Sequence, residues 1–201
     1  MSAAVATVPG VDVLPDDGRG LSPRERVELA VAQLAAPVLL TWCARLLTGD
    51  VAYDDPAQPH LTWLGGPHAV WLLGQPARVA DDQDYWPRTW AARALLYAWD
   101  DGVDELVPAV VAALADPAWR VREMAAKVVA RREVGQAGEA LLPLVEDEVP
   151  RVRAAAVRAL GLVGEVEALD AARDAQDDPD PAVHRAAELA VRRLQERLDR
   201  W

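Results

Sequence analysis

A chain of 201 residues, 52% apolar and 26% charged, is long enough for one or two globular domains and too apolar for disorder throughout. Its single cysteine, Cys43, excludes an intramolecular disulfide framework and a Cys-rich zinc site. Twenty-one basic residues against 32 acidic ones leave a net charge of −11, which repels nucleic acid and anionic membranes at long range unless a local basic surface overrides it.

Residues 1–20 mix Pro, Gly, Asp and isolated valines without a period, which predicts a flexible tail. They lack the basic start and continuous apolar run of a secretory signal, so a cytoplasmic location is expected. Ser22 to Glu25 has the form of a capping box with proline at the first helical position. Val27, Ala30, Val31 and Leu34 follow on one helical face. Pro37 opens a second helix to about Leu47. Gln33, Pro37, Thr41 and Arg45 interrupt the apolar stretch well short of the roughly 20 residues a membrane span needs, so a buried helix pair is expected. Thr48 to Pro59 reads as a surface loop. Two short helices fit between His60 and Val79, separated by Gly65-Gly66-Pro67 and ended by Gly74-Gln75-Pro76. Residues 21–80 are therefore expected to form a helical, Trp-rich N-terminal cap, with Trp42, Trp63 and Trp71, and six of the eight tryptophans fall before residue 100.

From residue 81 the chain repeats at a spacing of 31. Val121, Val152 and Val183 recur at that interval, as do Ala125, Ala156 and Ala187, and Val129, Leu160 and Val191. Asp116, Asp147 and Asp178 recur too, and are expected as helix N-caps. Each unit holds an apolar-periodic helix, a turn and a shorter second helix, the latter over Glu105–Leu114, Gly138–Val145 and Glu165–Arg173. One such hairpin cannot bury its apolar face alone, so stacked neighbours must, which predicts an all-α solenoid over 81–201. The segments starting at Asp116, Asp147 and Asp178, with Val121-Arg122, Val152-Arg153 and Val183-His184 at their centres, resemble the core of HEAT repeats. The resemblance is strong over 104–198 and weaker over 81–103, where Trp90-Ala91 replaces the valine-arginine pair.

Arg122 and Arg153 are expected to form a ladder with the loop aspartates rather than an anion site. The first helices, over 86–99, 117–133, 150–161 and 181–198, carry 14 basic groups against 4 acidic, and the second helices, counted over 105–114, 138–145 and 165–175, 1 against 6. The HEAT resemblance implies that first helices lie on a convex side and second helices line a concave one. The hollow would then be apolar to acidic through Glu105, Glu139, Glu165, Glu167 and Asp170, suited to a basic or amphipathic polypeptide. The opposing reading is of ordinary solvated faces, aided by pairs such as Glu123 with Lys127. Trp86 and Trp90 stand one turn apart with Arg93 three residues on. This block is either an apolar anchor for a partner or buried core.

The function expected is thus a non-catalytic protein-binding scaffold, without cofactor or metal, since His60, His68 and His184 are scattered and no ligand spacing occurs. Two alternatives come with the resemblance, a DNA-lesion glycosylase-like protein and a pigment-lyase-like accessory protein. Trp86, Trp90, Trp119, Asp100 and Arg120 are of the types the first would need, but no matching motif spacing assigns them roles.

Overall fold

A computed structural model describes residues 14–74 and 83–199. These are all-helical: among the described residues there are eleven α-helices, joined by turns and short 3-10 segments, and no strand. The chain divides between Val103 and Asp104 into two compact units.

The first unit holds α1 (Pro23–Leu34), α2 (Ala36–Thr48), α3 (Thr62–Gly65), α4 (Pro67–Leu73) and α5 (Tyr85–Leu95). The capping box forms as expected. Ser22 Oγ accepts from the Glu25 N–H at 3.3 Å, and the Glu25 carboxylate accepts from the Ser22 N–H at 2.7 Å, which holds that carboxyl below its ordinary range. Ala35, at φ 68°, turns the chain by 119° between α1 and α2. The pair is a folded corner, with Leu39, Leu40, Trp42, Cys43 and Leu46 of α2 buried. Helix α2 packs on α5, whose Trp90, Ala91, Ala94 and Leu95 are also buried. No single helix among the described residues is long and apolar enough to cross a membrane.

Of the tail expected over 1–20, residues 1–13 lie outside the described residues. From Leu14 onward the structure differs from that expectation. Leu14 is buried, its N–H donates to Thr62 Oγ1 at 3.3 Å, and Pro15–Gly18 forms a 3-10 turn. The cause is the Leu14 side chain, which is 1% exposed and so fills an apolar site. The two short helices expected before Val79 are α3 and α4; residues 75–82, with the expected Gln75-Pro76 break and the start of the repeats, lie outside the described residues.

The second unit holds α6 (Leu106–Ala113), α7 (Trp119–Arg132), α8 (Gly138–Leu141) with a 3-10 extension Leu142–Glu146, α9 (Pro150–Val163), α10 (Val166–Asp174) and α11 (Pro181–Leu198). Helix α9 packs between α7 and α11, and each long helix pairs with short neighbours. All three columns of the 31-residue repeat point inward: Val121, Val152 and Val183 are fully buried, as are Ala125, Ala156 and Ala187. Buried Gly161 lets α9 and α11 touch backbone to backbone, since a Cβ there would stand 2.8 Å from the Ala190 Cα.

The repeating aspartates sit two residues before the N-caps rather than on them. The N-cap residues are Ala118, Val149 and Asp180, each two positions later. Asp116, Asp147 and Asp178 instead accept from the N–H groups of those three residues, at 2.8, 2.9 and 2.8 Å. Such a loop turn leaves the second carboxylate oxygen for a neighbour. Arg122 Nε donates to Asp147 at 2.7 Å, and Arg153 grips Asp178 through Nε at 2.6 Å and Nη2 at 3.0 Å. The ladder expected from the repeat is therefore present. Its bonds hold the Asp178 carboxyl below, and the Arg153 guanidinium above, their ordinary ranges. His184, next in the column, instead meets the Gln176 carbonyl through Nδ1.

Candidate functional site

In the second unit, three of the five expected second-helix acids converge. Glu139 lies in the first turn of α8, Glu165 at the N-cap of α10 and Glu167 in that helix's first turn. Together with Gln136, Leu142 and the Val163-Gly164 turn they line a hollow of about 540 Å³. Among the described residues, no lysine or arginine lines it. Arg197 of α11 donates to the Leu162 and Gly164 carbonyls and so ties down the turn between α9 and α10. All three carboxylates are exposed, and Val166 beside them is 64% exposed. Placement in a first turn also favours these acids through the helix dipole, a structural role that leaves their carboxylates open to solvent. Glu105 and Asp170 do not line the hollow: Glu105 is the exposed N-cap residue of α6, and Asp170 pairs with Arg173 at 3.1 Å.

The long helices carry the opposite charge. Glu123, buried on α7, pairs with Lys127 at 2.8 Å as expected and also with Arg151 of α9 at 3.1 Å. The Arg120 and Arg151 guanidiniums lie 4.2 and 5.5 Å from the Trp119 ring.

In the first unit, Trp86, Trp90 and Arg93 of α5 form one wall of a cavity of about 800 Å³. The two indoles stack, with centroids 5.9 Å apart and planes at 24°, and the Trp86 Nε1–H donates to Gln83 Oε1 at 2.7 Å. The Trp-rich block is divided between the two readings the sequence allowed: Trp42, Trp63 and Trp90 are core, Trp86 and Trp99 are half-buried, and Trp71 is 45% exposed.

The opposite wall was not foreseen. Arg26 of α1 is only 6% exposed, yet among the described residues its side chain donates just one hydrogen bond, from Nη1 to the Leu21 carbonyl at 2.7 Å, and its Nε is buried without a partner there. Its guanidinium lies on Gly66, where φ is +59° and a Cβ would stand 3.0 Å from Cζ. The adjacent Gly65 faces the Trp90 ring, 2.6 Å from where its Cβ would be. The Gly-Gly turn between α3 and α4 is therefore a cradle for one guanidinium and one indole. Arg93 reaches the Leu64 carbonyl at 3.5 Å, and burial first, then the neighbouring Arg26 charge, hold it below its ordinary range. Burial lowers Arg26 as well. One signal could have found Arg26: it stands four residues before Ala30, as a charge on the apolar face of α1.

Comparison with known proteins bears on the second unit. A family model described as HEAT repeats matches residues 107–192. These residues are HEAT repeats. The HEAT segment contains the acidic hollow and the Arg–Asp ladder, and it excludes the Arg–Trp cavity. A solved crystal structure of an engineered protein is similar in fold, with a TM-score of 0.52 at 20% identity over 87% of this chain and 85% of that one. No curated protein matches the chain. The HEAT match and the shared helical fold show a helical-repeat architecture.

Proposed function

We propose that the HEAT unit is a non-catalytic docking module for a basic or amphipathic polypeptide, received along the second helices. The observation that carries this is the convergence of Glu139, Glu165 and Glu167 on one hollow lined by no cation among the described residues, with the exposed Val166 beside it. Carboxylates held on helical first turns offer a fixed negative field that speeds and orients encounter with a cationic partner. Exposed apolar area next to them supplies the contact energy that rim charges do not. The net charge of −11 favours such a partner over nucleic acid or an anionic membrane. The lone thiol Cys43, buried and pushed up in pKa by that burial, fits the reducing cytoplasm.

The test is partner capture on the immobilised full chain from native lysate at moderate salt, read by mass spectrometry. A protein retained near one-to-one should be lost with Glu139→Lys/Glu167→Lys and kept with Arg120→Glu/Arg151→Glu. The reverse pattern would move binding to the long helices and overturn the proposal. Retention of nucleic acid or a coloured ligand without any protein would overturn it too.

A further inference from the structure

The cavity of the first unit lies outside the HEAT repeats and holds two guanidiniums that no carboxylate among the described residues neutralises. Burying a cation without an opposite charge is costly, so an unpaired buried arginine calls for a cause. The same chain shows how it treats arginines that serve the fold alone. Arg122 and Arg153 each receive an aspartate within 2.7 Å, and Arg197 receives two carbonyls. Arg26 receives one carbonyl and keeps a buried Nε unpartnered; Arg93 receives one carbonyl at 3.5 Å. No carboxylate partners either guanidinium among the described residues. Both line the same space, and the Arg26 charge disfavours that of Arg93.

The remainder of that space sets the ligand's body. Its volume of about 800 Å³ falls in the range of small-molecule sites. Beyond the two arginines and His68, its lining side chains are apolar, including Pro23, Pro67, Trp71, Leu72 and the stacked Trp86–Trp90 pair. A planar group lies well against indoles and prolines. Two guanidinium forks match the two oxygens of a carboxylate, and an apolar wall leaves a second negative charge without donors. We propose that this cavity binds a small aromatic carboxylic acid, its carboxylate held by Arg26 and Arg93 and its ring lying against Trp86 and Trp90.

The experiment is isothermal titration calorimetry on the full chain with indole-3-acetate, 1-naphthoate, the neutral indole-3-acetamide and inorganic phosphate. Saturable binding of an acid is expected, at least tenfold tighter than the amide. Arg93→Met is expected to weaken the acid tenfold or more and leave the amide unchanged, with Arg93→Lys between wild type and Met. Arg26→Met should do the same; if it fails to fold by circular dichroism, the half-buried Arg93 series decides alone. Equal binding of acid and amide would overturn the proposal, as would tighter binding of phosphate than of either acid. Absence of saturation by both acids at millimolar concentration would overturn it as well.

Discussion

Arg153 and Arg26 are both withdrawn from water, and their surroundings differ. For Arg153 the geometry is a fork on a carboxylate, so removing one partner strands the other. Asp178→Asn is expected to lower stability by roughly 2 kcal/mol, within the range for a charge-assisted bond left half-made, as read by urea unfolding. The pH dependence has a definite sign. Because Arg153 depresses the folded-state pKa of Asp178, the pair's contribution is complete above the unfolded carboxylate value and is lost as pH falls below about 4 through the depressed one. The Asn variant should therefore lose less stability than wild type between neutral and acid pH. For Arg93 the opposite outcome follows, since no carboxylate among the described residues faces it. Without ligand, Arg93→Met should be neutral or stabilising by about 1–3 kcal/mol, seen as a higher Tm, because an apolar side chain of similar length replaces an uncompensated charge. The first class of arginine is legible in the sequence because Arg122 and Arg153 share a period with their aspartates. Arg26 has no such periodic partner, and its charge on an apolar face is visible only once α1 is given a face.

At the scale of elements, two glycines decide how closely helices approach. Replacing Gly161 by alanine would favour the helix by up to about 1 kcal/mol on propensity alone. The new Cβ would meet the Ala190 backbone at 2.8 Å, however, and overpacking of that kind costs about 1–3 kcal/mol. Packing wins, so Gly161→Ala is expected to lower the urea midpoint. Gly65→Ala should act locally, by pushing the Trp90 ring that lies 2.6 Å from the new atom. The check is a changed near-UV tryptophan signal with little loss of helix. Element positions were largely readable, because Pro23, Pro37, Pro67 and Pro150 mark starts and the 31-residue columns mark the long helices. The second helix after α7 was less so. Pro143 lacks the N–H that an α-helix would use, and the segment expected as one helix runs as α8 and then as a 3-10 turn. The N-caps were misplaced for a related reason: an Asp that folds a loop turn and an Asp that caps a helix look alike in sequence.

At the scale of the whole molecule, the two units rest on different kinds of information. The HEAT unit draws its core from columns repeated within residues 104–201, so that segment expressed alone is expected to be helical and to unfold cooperatively in urea. A featureless, non-cooperative melt would show that it lacks an independent core. Three of the five acids assigned to a hollow did meet, because Glu139, Glu165 and Glu167 lie on neighbouring short helices; Glu105 and Asp170 belong to the same layer but not to that space. The Arg–Trp cavity was hidden because it is assembled from Arg26, the Gly65-Gly66 turn and α5, which no local pattern links. The ladder carries one more consequence. Each arginine reaches 25 residues ahead, to the aspartate that closes the next turn. Duplication or loss of 31 residues therefore leaves every pair matched, whereas one residue more or fewer would turn guanidinium and carboxylate to different faces. Through descent, the length of this array is free to change only in whole steps, as a quantised variable.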